Sequence, residues 1–443
     1  MLNNQGRYLL ILLLFAFSNI QAQVAPSPFS SIGVGRLGGM GVVQNRGIGN
    51  VGIGMGSYWN LNLINPALLV YSRGTLFNQL TVFQAGMLFE ANQIKNQTTS
   101  EKSKGGGMNY LVMGVPVIRD RWFTSFGLRP YSSVNYNLNY TYEVAGADSA
   151  AHIREIGSEG INMVHISNGV TLTKNFSLGI ETDFLFSSIK NDFTNYVNAS
   201  DSLPVYASSV FQRTAIKGIL LKGGIAYQDS IKIGKKEPLK ITIGATYDME
   251  RLIKGTRFES LERRSFEGAI YELDTLLNNE QGTYTLPAAI GFGLSLGQGS
   301  KWTIGMDVKS SQWTRFVNFG ESPPMNDALY VALGGELTPN AFSVEDYYQR
   351  ITYRMGFHYE MTPYLVNNFQ VSDFGINFGL SLPIVPSASG SSTGVGKGFS
   401  SVDFAFSYGK LGNANNNLIE EQYFKIHFGV TFNDRWFIRH KFN

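Results

Sequence analysis

Gly33-Val34-Gly35-Arg36-Leu37-Gly38 has the spacing of a dinucleotide-binding loop. Such a loop needs a strand before it, a helix after it and an acidic residue about 20 positions on. Here more glycines follow instead of a helix, so no nucleotide site is expected. The histidines are His152, His165, His358, His427 and His440, and no two have the short spacing of a helical zinc site. His165, His358 and His427 fall on strand faces expected to point inward. Glu181 and Asp183 are two apart, which puts both carboxylates on one face of a strand. Paired carboxylates can do acid–base work, but cations on neighbouring strands would equally neutralise them, and that reading is preferred. Serine, histidine and aspartate are scattered with no local motif in which nucleophile, base and orienter converge. The expectation is a chain that is not an enzyme, with no catalytic residue, no cofactor and no metal.

The elements that would carry these residues are two-faced strands. In the stretch VNYNLNYTYEV, Val134, Tyr136, Leu138, Tyr140, Tyr142 and Val144 alternate with Asn135, Asn137, Asn139, Thr141 and Glu143. Side chains on a strand change sides at every residue, so one face is apolar and the other polar. The pattern recurs over residues 75–90, 108–117, 122–144, 162–172, 176–188, 211–227, 239–249, 284–296, 302–313, 328–337, 351–361, 373–382, 402–408 and 423–432. That is about fourteen strands, an even number as bacterial barrels require. In 239–249 the outward set is Leu239, Ile241, Ile243, Ala245, Tyr247 and Met249, opposed by Lys240, Thr242, Gly244, Thr246 and Asp248. The fold class is all-β: a transmembrane antiparallel barrel with lipid outside and a polar lumen. This stretch is read as the outer half of a long strand from Trp122, with a bend near Pro130 and its asparagines facing the lumen.

Composition agrees. The chain has 443 residues with Phe 31, Tyr 22, Trp 5 and Gly 49, yet only 16% are charged. An average soluble domain carries about 25%. Curved strands favour glycine and membrane interfaces favour aromatics. A formal charge of +3 argues against nucleic acid. The absence of cysteine excludes disulfides, thiolate metal sites and a lipid-modified N-terminal cysteine. At the N-terminus, Arg7, an apolar run over 9–17 and a polar exit over 18–22 read as a signal peptide of residues 1–22. Export would take the chain to the outer membrane, among its lipid and lipopolysaccharide.

Inward positions carry the charge: Arg129, Glu181, Asp183, Lys240, Asp248, Asp307, Lys309, Arg354, Glu360, Asp373 and Lys425. A basic residue facing lipid at the midplane would cost about 2–4 kcal/mol. Mixed signs point to an ion-pair network holding a wall or plug, not a selectivity ring. Short connections at 118–121, 173–175 and 297–301 alternate with long ones at 91–107, 145–161, 189–210 and 250–283, which read as periplasmic turns and outer loops. Two more, 338–350 and 383–401, are long on the side expected to be short. Trp122 and Trp302 follow short turns. Trp436 sits in Asn433-Asp434-Arg435-Trp436-Phe437, which repeats Arg119-Asp120-Arg121-Trp122-Phe123. These three tryptophans are the girdle candidates.

Residues 23–71 do not alternate. Ten glycines between Gly33 and Gly56 precede Asn65-Pro66-Ala67. So glycine-rich a segment has no side chains for a core of its own, but it can fold tightly inside something else. A signal peptide, this segment with its Asn65-Pro66-Ala67 and a barrel of about fourteen strands together resemble the FadL/TodX-type (OMPP1-like) outer-membrane family. Gly114-Val115-Pro116-Val117, Leu286-Pro287-Ala288-Ala289-Ile290-Gly291 and 302–313 with Asp307 look like it as well. The resemblance implies an N-terminal hatch over 23–71 inside a barrel over 72–443 with a short C-terminal tail. It implies a dense apolar pocket near the hatch and passage of fatty-acid or hydrocarbon-like molecules. Some similar barrels are instead accessory subunits of outer-membrane assembly or export machines. For those, the loops and the stretches 338–350 and 383–401 are candidate contacts with protein partners.

Overall fold

Alternating side chains do produce strands, and the strands close. A computed structural model describes residues 24–39, 41–71, 80–143, 150–197, 206–232, 238–265, 269–341, 343, 345–384, 400–415 and 418–434. In chain order they run β1 Arg36–Leu37, β2 Thr81–Lys95, β3 Ser100–Ile118, β4 Trp122–Ser133, β5 Tyr136–Glu143, β6 Ala150–Ser158 and β7 Gly160–Thr171. Then come β8 Phe176–Ser187, β9 Ile189–Val197, β10 Tyr206–Ile231, β11 Leu239–Asp248, β12 Arg251–Ser265, β13 Ile270–Leu286 and β14 Ala289–Gln298. The last are β15 Trp302–Ser311, β16 Val317–Asn318, β17 Ala328–Leu337, β18 Thr352–Val366, β19 Phe369–Ile384, β20 Ser400–Gly412 and β21 Glu420–Asp434. All 21 belong to one antiparallel sheet, and β2 pairs with both β3 and β21, which closes the ring.

The ring is a closed barrel of fourteen strands. Several staves are built from two collinear strands, β4 with β5 and β8 with β9 among them. The alternation sorts the faces. On β11, Ile243 and Tyr247 are exposed at 52% and 49%, while Thr242 and Thr246 are buried at 1% and 5%. On β18, Met355 and Phe357 face out and Arg354 is buried. A closed ring with an apolar outer belt leaves no strand edge and no polar backbone for lipid to meet, as a spanning barrel requires. Among the described residues no helix is long and apolar enough to cross a membrane, which says nothing about crossing by strands.

The predicted long loops are mostly strand. Of these stretches, the described residues of 91–107, 150–161, 189–197, 206–210, 251–265 and 270–283 mostly belong to β2 and β3, β6 and β7, β9 and β10, and β12 and β13. Beyond the lipid layer the outer face of a hairpin meets water, not lipid. The two-residue hydrophobic period then disappears while the hydrogen-bonded ladder persists. The strands β5, β6, β9, β10, β12 and β13 pair in that order and carry one sector of the wall on as a projecting sheet. At the opposite end, 338–350 includes a short helix, Tyr347–Arg350. Residues 385–399 and 435–443 lie outside the described residues, and so do residues 1–23 with the predicted signal peptide.

The stretch Val134 to Glu143 needs a correction. Trp122 and Phe126 face outward on β4, but a register shift against β7 falls between Pro130 and Ser132. One extra residue exchanges the two faces of everything that follows. Val134 and Tyr136 are therefore buried, packed with Val34, Ile161, Leu185, Ile189 and Ile216. Asn137 and Asn139 are exposed, not turned to the lumen. Above the membrane the apolar face must find a core, because no lipid is there to cover it.

Candidate functional site

Residues 24–71 make little regular structure: the two-residue β1, one turn of helix at Val43–Arg46 and 3₁₀ turns at Pro28–Ser31 and Pro66–Val70. Many of their backbone polar groups are bonded within the segment, by Asn45 and Asn62 among others, and several more by inward-facing wall residues. Asp307 on β15 accepts from three successive amides, Gly52 at 2.6 Å, Ile53 at 2.7 Å and Gly54 at 3.2 Å. Ser295 on β14 donates to the Gly54 carbonyl at 2.7 Å. Arg129 on β4 donates to the Leu63 carbonyl at 3.2 Å. β1 pairs with Ser132 and Ser133 of β4.

Asn65, Pro66 and Ala67 form one of the attachment points. Asn65 caps the turn Pro66–Val70, its side-chain oxygen accepting from the Ala67 amide at 3.0 Å. Its amide nitrogen donates to the Ile53 carbonyl at 2.8 Å and to the Ile225 carbonyl of β10 at 3.1 Å. Proline at the first helical position costs no donor, because that amide would lack a partner anyway.

The glycines of the wall explain how backbone can come so close. A Cβ on Gly224 would lie 2.2 Å from the Asn65 side-chain oxygen, and one on Gly179 2.3 Å from the Ala67 nitrogen. On Gly244 it would stand 1.9 Å from the Ile53 carbonyl oxygen, and on Gly356 2.1 Å from the Ile48 carbonyl carbon. These glycines lie near one level of the barrel: Gly169 pairs with Gly179, Gly179 with Gly224, Gly244 with Gly293, and Gly334 with Gly356. Their purpose is close approach of the inner segment. Strand curvature alone would not select one face and one level. Gly244→Ala should cost about 1–3 kcal/mol by forcing the segment off the wall. Thermal unfolding of the purified barrel checks this, with Gly223→Ala, where a Cβ meets nothing within 4 Å, as the control.

The charged candidates separate into clusters. Glu181 on β8 accepts from Arg129 at 2.6 Å and from Lys222 on β10 at 2.7 Å, and Asp183 lies 3.6 Å from Arg129. His165 is fully buried beside them, opposite Asp183 in register. The two carboxylates are thus held by cations. Lys309 bonds Asp248 at 2.7 Å, and Arg354 bonds Glu336 at 3.0 Å. His358 meets the Tyr423 hydroxyl at 3.2 Å and Asn377 at 3.0 Å, with Asp373 at 3.8 Å. Glu360 stands opposite Asp373 in register. Among the described residues no group of His, Asp and Glu is arranged to hold a metal ion.

One cluster escaped the sequence reading. Arg36, from the glycine-rich loop, bonds Glu90 on β2 at 2.5 Å and Glu421 on β21 at 3.2 Å. Glu421 also accepts from Ser27 at 2.5 Å and Asn92 at 2.9 Å. Burial works against the Arg36 cation, but the two carboxylates outweigh it and hold it above its ordinary range. Arg46, partly buried and with no ion pair among the described residues, is pushed down by desolvation instead. The only signal in the sequence was inward parity of Glu90 and Glu421. Their partner lay outside any periodic pattern.

A cavity of about 360 Å³ remains between the segment and the wall. Arg36, Arg46 and Asn50 line it from the segment; Asp183, Lys222, Asp248, Asp307, Lys309, His358, Glu360, Asp373 and Lys425 line it from the wall. Leu37, Ile53, Met163, Leu286 and Trp313 add apolar surface. The cavity lies where the resemblance implies a pocket, and its largely apolar lining is interrupted by charged side chains that the wall strands turn inward at this level. Trp122 and Trp302 open β4 and β15 at the short-turn end, donating to Asn168 at 3.1 Å and Gln298 at 3.2 Å. Trp436 lies outside the described residues.

Solved structures with the same fold include the toluene transporter TodX of Pseudomonas putida, 14% identical, covering 90% of this chain and 100% of that one at a TM-score of 0.54. The CymD monoaromatic hydrocarbon channel is 13% identical, with 91% and 99% covered and a TM-score of 0.52. A FadL homologue of Pseudomonas aeruginosa is 14% identical, with 91% and 100% covered and a TM-score of 0.50. At such identities the likeness speaks for the fold alone. No curated protein matches the chain in sequence. A family model described as BamG matches residues 5–443.

Proposed function

Because the chain belongs to the BamG family, we propose that it is an accessory barrel of the outer membrane's barrel-assembly machinery, not a transporter. The family match over residues 5–443 carries this reading, since the family name associates its members with that machinery. Residues 1–22 act as the signal peptide that exports it, and outer-membrane lipid and lipopolysaccharide surround it. Residues 24–71 act as a permanent plug. In support, the segment is tied to the wall by Asp307, Arg129 and the Glu90–Arg36–Glu421 bridge. An apolar molecule passing through would have to displace those contacts and strip water from charges on both sides of the cavity. The barrel then serves as a rigid frame whose projecting hairpins and opposite-end stretches meet protein partners. Trp122, Trp302 and Trp436 anchor it at the inner interface.

The full chain, tagged and purified from its native membrane in mild detergent, should bring down subunits of the assembly machinery. Its depletion should lower the yield of other outer-membrane barrels. A solitary chain with no such partner overturns the reading. The second reading, passage of hydrophobic small molecules, draws on the shared fold and the apolar part of the cavity lining. Uptake of hydrocarbons or fatty acids by liposomes carrying the barrel, above that of empty liposomes, favours it.

A further inference from the structure

The outer face of the wall carries a basic patch that plug and lumen leave unexplained. Across β8, β10 and β12 the outward row Phe184, Ile219 and Leu252 is apolar and exposed. Just above it, Lys217 on β10 lies directly opposite Lys254 on β12. Four residues further along the same face of β10, Arg213 lies directly opposite Lys190 on β9. All four cations are exposed. Like charges placed opposite each other across antiparallel strands repel. Two such pairs stacked on one face cost stability unless an anion lies between them.

Among the described residues, the nearby acids do little there. Glu159 reaches Lys190 at 3.4 Å, both ends exposed. Asp192, one row above, is engaged by Arg264 at 2.5 Å and by Ser209 and Thr194 at 2.7 Å each. Burial raises the Asp192 pKa, but those partners outweigh it and keep it below its ordinary range, so it stays a committed anion. Arg213 leans over the Phe258 ring at 5.5 Å, which keeps its guanidinium on this face.

We propose that Lys190, Arg213, Lys217 and Lys254 form a site for the phosphate groups of a lipid head group. The apolar row directly below decides the source. Acyl chains lying against Phe184, Ile219 and Leu252 would bring their phosphates to the level of the four cations. The proposal rests on the barrel spanning a membrane and is independent of any role in barrel assembly.

The test uses the full chain and the triple variant Arg213→Gln, Lys217→Gln, Lys254→Gln, each purified in neutral detergent. Phosphorylated glycolipid (lipid A), phosphatidylglycerol and inorganic phosphate are added separately and read by native mass spectrometry and thermal unfolding. The wild-type chain should bind the phosphorylated lipids and unfold at a higher temperature with them. The variant should bind them roughly 100-fold more weakly, since each basic residue near an anionic surface contributes separately. Without lipid the variant should unfold at the same temperature as the wild type or above it, because repulsion has been removed. That arm separates a folded variant from a damaged one. Equal lipid binding by both chains overturns the proposal. So does lipid-free destabilisation of the variant, which would assign these residues to the fold. Binding of inorganic phosphate as tight as that of lipid would reduce the patch to an unspecific anion site and also overturn it.

Discussion

Asp307→Ala should release residues 24–71 from the wall and destabilise the barrel by about 3–5 kcal/mol. The carboxylate takes three amide hydrogens, from Gly52, Ile53 and Gly54, and is itself 2% exposed. Alanine removes the acceptor of all three donors, and each unmade buried bond costs about 1–3 kcal/mol. The cavity next to Asp307 admits some water, which keeps the loss below the full sum. Asp307→Asn keeps one acceptor oxygen and should fall between. Hydrogen exchange at residues 52–54 reads the local effect and thermal unfolding the global one. Unchanged exchange at these amides in the alanine variant would show that the segment is held elsewhere.

Glu181→Ala should be about as damaging, again about 3–5 kcal/mol, for a different reason. It leaves Arg129 and Lys222, both nearly inaccessible, as like charges without their shared carboxylate. Asp183 is farther from Arg129, at 3.6 Å, and compensates only partly. Lys222→Met together with Glu181→Leu and Arg129→Met should recover most of the loss, because an apolar triad of similar volume avoids the desolvation of all three charges. Arg129 also holds the Leu63 carbonyl, so the triple variant should still show faster exchange near Leu63. A triple variant as unstable as the single one would mean that the ions do more than neutralise each other.

Much of the barrel was legible because lipid imposes a strict rule. Where a stave crosses the membrane, as at β11 and β18, one face must be apolar and the other is free to be polar, so period two is written into the residues. The same rule failed at Val134 and Tyr136: Pro130 marks a bend in the strand, but only the paired register shows that an extra residue there changes parity. It also failed over 189–197, 206–210, 251–265 and 270–283, where the outer side of the strands meets water instead of lipid and no longer has to be apolar. In the lumen, inward parity named Arg129, Glu181, Asp183, Asp307, Arg354 and Glu360. Only the fold showed that Asp307 grips backbone while Glu181 grips cations.

By itself, then, the sequence determined an antiparallel transmembrane barrel with charges turned inward, because the solvents on the two faces of a stave differ and each residue must suit its own. The tertiary structure decided what those charges hold. Arg36 and Glu421 meet across 385 residues of chain, and Gly244 makes room for Ile53 from a distant stave. Such contacts depend on ring closure and on the path of residues 24–71 along the inner wall, and neither leaves a periodic trace in the chain.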